Sequence, residues 1–130
     1  MWHWLVSALA TGITIILYDG SPFRPLDEEG NGEMALPKII EELKITHFGT
    51  SAKYLSILEQ KGIKPNRLVD LSSLKAIYST GSPLAPSTFE YVYETFSSDL
   101  NLASITGGTD IISLFGAPSQ LSPVYSGEGE

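Results

Sequence analysis

An apolar run that closes in a turn lies near the middle of the chain and reads Leu74-Lys75-Ala76-Ile77-Tyr78-Ser79-Thr80-Gly81-Ser82-Pro83-Leu84. A short apolar run of this kind is typical of a buried strand in a parallel sheet. The Gly-Ser-Pro turn that follows lets the backbone come close to a ligand, because glycine has no side chain. We therefore predict a buried strand that ends at a binding loop.

A second stretch of the same design follows and reads Leu102-Ala103-Ser104-Ile105-Thr106-Gly107-Gly108-Thr109-Asp110. In open α/β sheets, ligands bind at the carboxyl ends of the strands. If the two strands run in the same direction in one sheet, both loops open on the same edge. That edge is the predicted binding site.

Strand and helix patterns alternate through the rest of the chain. Further strands are predicted at Ile13–Tyr18 and Ile45–Phe48, so strands begin near residues 13, 45, 75 and 101. The predicted helices start at Pro37, at Thr50 or Ser51, and at Pro86. This rhythm predicts an α/β fold, with a mostly parallel sheet and flanking helices built from βαβ units.

The two ends differ from this pattern. Met1–Thr11 is apolar almost all round and predicts a buried helix that ends at Gly12. Residues 23–33 are acidic and rich in turn formers, which predicts a surface loop, and residues 116–130 predict an irregular tail. We expect residues 1–130 to form one part of a larger domain that is cut at both ends.

Composition excludes several classes of protein. A chain of 130 residues with 42% hydrophobic and 18% charged residues is globular and suits one domain. The net charge of −7 argues against a nucleic-acid partner, because binding to a phosphate backbone needs a basic surface. The sequence contains no cysteine, which excludes disulfides, thiolate metal sites and cysteine nucleophiles.

The apolar residues 1–17 raise the question of a membrane anchor. This length lies at the lower limit for a bilayer span, and polar residues such as His3, Ser7 and Thr11 interrupt it. No basic region precedes the run and no small-residue cleavage site follows it. We predict a helix and a strand here, no membrane span, and a cytoplasmic protein.

Four motifs resemble the acyl-adenylate-forming superfamily, and within it the branch that activates acetoacetate. They are Trp2–Gly12 with the following Tyr18-Asp19-Gly20-Ser21-Pro22, Ile45–Ala52, Tyr78–Leu84 and Ser104–Asp110. The third resembles the Gly-Glu-Pro nucleotide loop of the superfamily, and the fourth resembles its Thr-Glu magnesium motif. The resemblance covers nearly all of residues 1–125 and implies a large adenylate-forming domain.

The resemblance implies an acid–thiol ligase that uses ATP, Mg²⁺ and CoA, with a short carboxylic acid such as acetoacetate as its other substrate. The implied nucleotide-binding residues are Gly81, Ser82, Pro83, Ser104, Ile105, Thr106, Gly107, Gly108 and Thr109. Thr80 and Gly107 would face the acyl group. Thr109 and Asp110 would act in catalysis, with Asp110 as the metal ligand. The resemblance places such a ligase in acyl-CoA and lipid metabolism, and it leaves the oligomeric state open.

The sequence departs from the superfamily pattern at important places. Ser82 stands where a glutamate is usual, and Asp110 is one methylene shorter than the usual glutamate. The phosphate loop, the ribose-binding aspartate and the C-terminal lysine of the superfamily do not occur in these 130 residues. We therefore expect the isolated chain to be inactive, and a non-catalytic nucleotide-binding or regulatory α/β fragment stays open as an alternative.

Each motif also has a simpler interpretation when it is taken alone. Gly81-Ser82-Pro83 is an ordinary β-turn before a helix, and Gly107-Gly108 is an ordinary turn. Asp110 by itself is more often a helix cap or a solvated charge. The order and the spacing of the four motifs, rather than any single residue, therefore carry the functional interpretation.

Overall fold

The computed structural model describes residues 2–24, 32–108 and 110–129, and for residues 2–4 it describes the helix but not the side chains. The helices are α1 (Trp2–Ala8), α2 (Ala35–Leu43), α3 (Ala52–Gln60) and α4 (Pro86–Thr95). The strands are β1 (His47–Ser51), β2 (Ala76–Thr80), β3 (Asn101–Ser104), β4 (Thr106–Gly108) and β5 (Ser113–Gly116). Short 3₁₀ turns cover Leu9–Thr11, Gly32–Met34 and Pro65–Arg67.

A three-stranded parallel sheet forms the centre of the molecule. Its strand order is β1-β2-β3, with β2 in the middle. In the register, Ile77 lies between Phe48 and Leu102. Helix α3 connects β1 to β2 and helix α4 connects β2 to β3, which is the βαβ arrangement of an α/β fold. The predicted fold class, a parallel sheet with flanking helices, is therefore confirmed.

The main core lies between one face of this sheet and the helices, and we call that face the helix face. Ile77 and Leu102 of the sheet are both completely buried there. They share one cluster with helix residues Ile40, Leu55, Leu58, Phe89 and Val92. Burying each such side chain stabilises the fold by about 1.5–3 kcal/mol. The cluster therefore holds the sheet and three helices together.

Helix α3 begins and ends as its sequence predicts. The Oγ of Ser51 accepts a hydrogen bond from the backbone N–H of Tyr54 at 3.1 Å, so Ser51 is the N-cap. Leu55 and Leu58, spaced three apart, are fully buried against the core. After the helix, Gly62 adopts the left-handed conformation with φ of 64°. The prediction of a helix capped by Thr50 or Ser51 is thus confirmed with Ser51 as the cap.

The prediction of a strand at Ile13–Tyr18 is wrong. Residues 13–19 have no regular secondary structure, and no strand in the described chain pairs with them. Ile13 is 58% exposed and Leu17 is 62% exposed. β-branched residues favour a strand only where neighbouring strands complete the hydrogen bonds and cover the side chains. The structure offers this segment neither.

The prediction for the first helix is correct in its position but wrong about its burial. Helix α1 continues into the 3₁₀ turn, and Gly12 ends it in the left-handed conformation with φ of 72°, as predicted. Val6 and Leu9 are 42% and 62% exposed, so the prediction of a buried helix is wrong for these residues. Met1 lies outside the described residues. In the part of the chain with described coordinates, no helix is long and apolar enough to cross a membrane.

The predicted acidic loop 23–33 is described only at its two ends, because residues 25–31 lie outside the described ranges. The ring of Phe23 packs against Tyr54, with 5.5 Å between the ring centroids. The carboxylate of Glu33 pairs with the ammonium group of Lys61 at the end of α3. This hydrogen bond from Lys61 is the main reason that the pKa of Glu33 is lowered. Both described ends of the segment are thus attached to the body of the fold.

The C-terminal part forms a small hairpin and then an irregular tail. β4 and β5 pair antiparallel, and β5 begins at Ser113. The predicted irregular tail, residues 116–130, overlaps β5 at Gly116, and residues 117–129 contain neither helix nor strand. The tail nevertheless packs on the body, because Val124 contacts the main core and the Ser126 hydroxyl donates to the Pro86 carbonyl at 3.0 Å.

Candidate functional site

The two glycine-bearing loops meet at one edge of the parallel sheet. β2 and β3 are hydrogen-bonded neighbours that run in the same direction, so their carboxyl ends lie side by side. The backbone N–H of Ile105 donates to the carbonyl of Ser79 at 2.8 Å, which extends the ladder just beyond β3. The backbone N–H of Leu84 donates to the Oγ of Ser104 at 3.4 Å. The common edge predicted from the sequence is therefore present.

The first loop projects Gly81, Ser82 and Pro83 into solvent between two buried residues. All three are exposed, whereas Ser79 before them is completely buried and Leu84 after them is 4% exposed. Gly81 has φ of 93°, a conformation that a residue with a side chain adopts only with strain. Within the described chain, a Cβ on Gly81 would meet no atom within 4 Å, so the space beside it is open. The loop can therefore approach a ligand through its backbone.

The second loop presents different residues from those that the motif suggested. The side chains of Ser104 and Ile105 are only 7% and 6% exposed, and they lie on opposite faces of the sheet because side chains alternate along a strand. Thr106, Gly107 and Gly108 are exposed. Thr109 lies outside the described residues, so its predicted roles in nucleotide binding and catalysis stay predictions. Of this motif, mainly the part after Ile105 is accessible from solvent.

Ile105 belongs to a second, smaller cluster on the other face of the sheet. It packs there with Ala76, Tyr78 and Ala103, and Leu114 of β5 covers them. Burial raises the pKa of the Tyr78 hydroxyl, so this group stays neutral at physiological pH. The β4–β5 hairpin, which contains Gly107, therefore covers part of this face over β2 and β3.

The predicted acyl-binding residues lie at the ends of β2 and β4. Thr80 is half-buried at the last position of β2, paired with Ser51 of β1. Gly107 pairs with Leu114 in the hairpin, and a Cβ built on Gly107 would lie 2.5 Å from the carbonyl oxygen of Ser113. The hairpin therefore requires glycine at this position.

A cavity of about 220 Å³ lies beside the first loop and was not predicted. Helix α3 contributes Ala52, Lys53 and Ser56 to its lining. The first loop and the start of α4 contribute the rest, which are Ser82, Pro83, Leu84, Ala85 and Thr88. Lys53 is exposed and stands in the first turn of α3, just after β1 reaches the same sheet edge. The sequence places this lysine two residues after the end of β1, but it is not among the site residues predicted from the motifs.

The only acidic residue among the predicted site residues is Asp110. It is exposed and follows β4 by two residues. Within residues 2–24, 32–108 and 110–129, no three His, Asp or Glu side chains come together as a metal site. Mg²⁺ prefers hard oxygen ligands and often takes one or two carboxylates together with substrate phosphates. Asp110 therefore fits as one ligand of a magnesium ion that a phosphate also holds.

Three buried hydroxyl side chains form a row across the sheet just below the loops. Thr50, Ser79 and Ser104 occupy the same register position on β1, β2 and β3, and we call them the hydroxyl row. They lie on the helix face because Ile77, two residues before Ser79, belongs to the main core. Their exposed fractions are 8%, 0% and 7%. Polar residues thus replace the apolar core directly beneath the binding edge.

The chain has close relatives among known proteins. It is 53% identical over 136 residues to malonamoyl-CoA synthetase vrtB of Penicillium aethiopicum, a match that covers 98% of this chain and 19% of the relative. It is 48% identical over 128 residues to acetoacetyl-CoA synthetase of Gallus gallus, covering 98% of this chain and 18% of the relative. The chain thus spans about a fifth of the length of these relatives. No protein-family model matches it.

A solved structure gives the same result for the fold. Acetoacetyl-CoA synthetase from Streptomyces lividans matches with a TM-score of 0.78 and 42% identity, over 88% of this chain and 17% of the solved chain. The resemblance stated from the motifs is therefore confirmed by both sequence and structure. The chain is homologous, over nearly its whole length, to one segment of the acetoacetyl-CoA synthetases, which belong to the acyl-adenylate-forming superfamily.

Proposed function

We propose that this chain supplies the nucleotide-binding edge of an acid–CoA ligase. Such a ligase activates a short carboxylic acid with ATP to an acyl-adenylate and pyrophosphate, and then transfers the acyl group to CoA with release of AMP. The observation that carries the proposal is the meeting of the two loops at one sheet edge, where the Leu84 N–H contacts the Ser104 hydroxyl. The identity of 48% to an acetoacetyl-CoA synthetase supports it.

The proposed roles of the residues are those that the family resemblance implies. Gly81, Ser82 and Pro83 present exposed backbone beside the adenine and ribose, and the second loop from Ser104 to Thr109 runs along the adenosine and the α-phosphate. Asp110 would hold Mg²⁺, which would neutralise charge on the phosphates. Chemistry of this kind needs positioning and charge stabilisation rather than a protein nucleophile. The exposed glycines meet this need because they let backbone N–H groups approach the ligand closely.

The proposed acyl substrate is acetoacetate or an acid of the same size and shape. One relative is named for acetoacetyl-CoA and another, at 53% identity, for malonamoyl-CoA. Acetoacetate and malonamate differ only in a terminal methyl group in place of an amino group. A pocket bounded by Thr80 and Gly107 would admit both, so the choice depends on a hydrogen-bonding partner for the amide.

The test measures turnover and binding separately. The chain is incubated with ATP, Mg²⁺ and either acetoacetate or malonamate, and pyrophosphate release is followed, while calorimetry measures ATP binding. Release that requires both ATP and one of the acids supports the ligase. ATP binding without turnover is the result expected of an isolated chain that is inactive by itself. It supports the nucleotide-binding edge and leaves the non-catalytic nucleotide-binding or regulatory chain as the alternative. Neither binding nor turnover overturns the proposal.

The role of Asp110 is tested with a matched pair of variants. In Asp110→Ala, the concentration of Mg²⁺ that ATP binding requires should rise at least about tenfold. Even the loss of a residue that only supports a metal ligand typically lowers metal affinity by this factor. Asp99→Ala is the control, because Asp99 is also exposed but precedes β3 and lies at the opposite edge of the sheet. Unchanged magnesium dependence in Asp110→Ala would remove this residue from the metal site.

We also propose a cytoplasmic location, as the sequence predicted. Fractionation of cells that express the chain with a small tag checks it: the tagged chain should appear with cytosolic markers. Recovery in the membrane or organelle fraction would contradict it.

A further inference from the structure

The hydroxyl of Ser104 lies on the helix face of the sheet, directly beneath the two loops. Ser104 belongs to the nucleotide-binding motif, yet its side chain is 7% exposed and points to the helix face with the rest of the hydroxyl row. Its Oγ accepts the hydrogen bond from the backbone N–H of Leu84, twenty residues earlier in the chain. The side chain therefore connects the second loop to the first.

Leu84 is the point at which the first loop returns to the core. Its side chain is 4% exposed and belongs to the main core cluster. The residue before it, Pro83, has no N–H, and Gly81 adopts a left-handed conformation with φ of 93°, which glycine tolerates. The N–H of Leu84 is therefore a donor at the buried end of the loop. A buried donor without an acceptor costs free energy, so the acceptor on β3 stabilises this one loop geometry.

A neighbouring serine shows that burial alone does not explain the contact. Ser79 sits beside Ser104 in the same row and is completely buried. Its Oγ has no hydrogen-bond partner among the described residues. Of two adjacent buried serines, only Ser104 thus has an interaction with the binding loop. This difference supplies a matched control.

We infer that Ser104 is a positioning residue, which holds the turn Gly81–Pro83 in place relative to the second loop through its hydrogen bond to Leu84. The part of this inference that concerns nucleotide affinity rests on the proposed function. The hydroxyl itself does not touch the nucleotide; it sets the distance between the two loops that do. Pre-organised loops bind more tightly because less ordering is needed on binding.

The test uses the full chain and three variants. Ser104→Ala removes the acceptor, Ser104→Thr keeps a hydroxyl, and Ser79→Ala removes the neighbouring hydroxyl that has no partner. Amide hydrogen exchange of Leu84, measured by NMR, reports the contact itself. We expect protection of this amide to fall about tenfold in Ser104→Ala and to be retained in Ser104→Thr and Ser79→Ala. Unfolding of each variant in urea confirms that it is folded under these conditions.

Binding of ATP with Mg²⁺ then reports the functional consequence. Ser104→Ala should bind about three- to tenfold more weakly, the range expected for one hydrogen bond, and Ser104→Thr should restore the affinity. Ser79→Ala should bind like the unsubstituted chain.

Failure of the inference and failure of the proposed function give different results. If the unsubstituted chain binds ATP and Ser104→Ala binds equally well, the inference is overturned and the proposed function stands. Unchanged Leu84 exchange in Ser104→Ala overturns it as well, whatever the affinity. If the unsubstituted chain does not bind ATP, the proposed function fails together with the affinity part of the inference, whereas Leu84 exchange in Ser104→Ala still decides whether Ser104 holds the first loop.

Discussion

Two apolar segments of similar composition have opposite fates in this molecule. Residues 76–80 form the central strand β2, in which the first four residues are buried. Residues 13–18 contain more β-branched residues, but they form no strand and Leu17 is 62% exposed. The strand β2 has a hydrogen-bonded neighbour on each side, and the segment 13–18 has none in the described structure. Pairing, rather than local propensity, separates the two.

The same difference divides the whole chain. Residues 35–105 contain helices and strands that cover one another and form the core, and the predictions for this part are largely correct. Residues 2–24 and 110–122 expose large apolar side chains. Ile112 and Phe115, for example, are 70% and 82% exposed. Substitutions in the buried core should therefore cost more than matched substitutions in the exposed segments.

The largest effect is expected from a phenylalanine pair. Phe89 on α4 is 1% exposed in the main core, whereas Phe115 on β5 is 82% exposed. Phe89→Ala should lower the free energy of unfolding by about 3–5 kcal/mol, because it leaves a cavity. Phe115→Ala should change it by less than about 0.5 kcal/mol. Urea unfolding followed by circular dichroism measures both, and equal losses would contradict the assigned core.

A glycine pair tests the hairpin at the edge of the site. A Cβ at Gly107 would lie 2.5 Å from the Ser113 carbonyl oxygen, but at Gly108 nothing in the described chain lies within 4 Å. Gly107→Ala should therefore cost about 1–3 kcal/mol through displacement of the hairpin. It should shift the amide NMR signals of β4 and β5. Gly108→Ala should leave these signals in place, and similar shifts in both variants would argue against the pairing described.

Hydroxyls at two helix ends give a smaller contrast. Ser51 caps α3, which packs on the core, and Ser51→Ala should lower the free energy of unfolding by about 1 kcal/mol. Ser51→Asn keeps a capping oxygen and should recover most of this. Thr11 donates to the Ala8 carbonyl at 2.8 Å at the exposed end of the first helical segment. Thr11→Ala should have little effect on urea unfolding, and a loss as large as that of Ser51→Ala would show that this segment is also part of the cooperative fold.

The smallest effect concerns the pH dependence of Asp70, just before β2. Hydrogen bonds to its carboxylate lower the pKa of Asp70 to about 2. Ser72 contributes most, with its backbone N–H 3.0 Å from Oδ1 of Asp70, and Lys44 contributes next. The pKa of Asp70 is lower in the folded state than its ordinary value of 3.8, so the ionised carboxylate stabilises the fold at pH values above 3.8. This stabilisation is lost as the pH falls towards 2. An NMR titration of the Asp70 carboxyl carbon should have its midpoint near 2. The urea midpoint of Asp70→Asn should be lower than that of the unsubstituted chain at pH 6, with the difference disappearing below pH 2.

The candidate site was predictable in part. Gly81 and Pro83 mark the first loop by residue type alone, since positive φ favours glycine and proline interrupts hydrogen bonding. The direction of β2 and β3 followed from the helix between them, because parallel neighbours need a crossover. The sequence did not indicate that the Ser104 side chain turns towards the core. One residue of difference in strand register would reverse the face on which it lies.

The amino-acid sequence by itself determined where helices and strands alternate between residues 35 and 105, because apolar periodicity, caps and turn residues act over a few positions. It also determined that glycine-bearing segments follow two adjacent strands; the second segment forms the short strand β4. Only the tertiary structure decided that residues 13–18 stay unpaired, that glycine at 107 is required by Ser113, and that Ser104 holds Leu84. Each of these depends on which distant residue comes into contact, and such contacts are formed by the packing of the whole fold rather than by local preference.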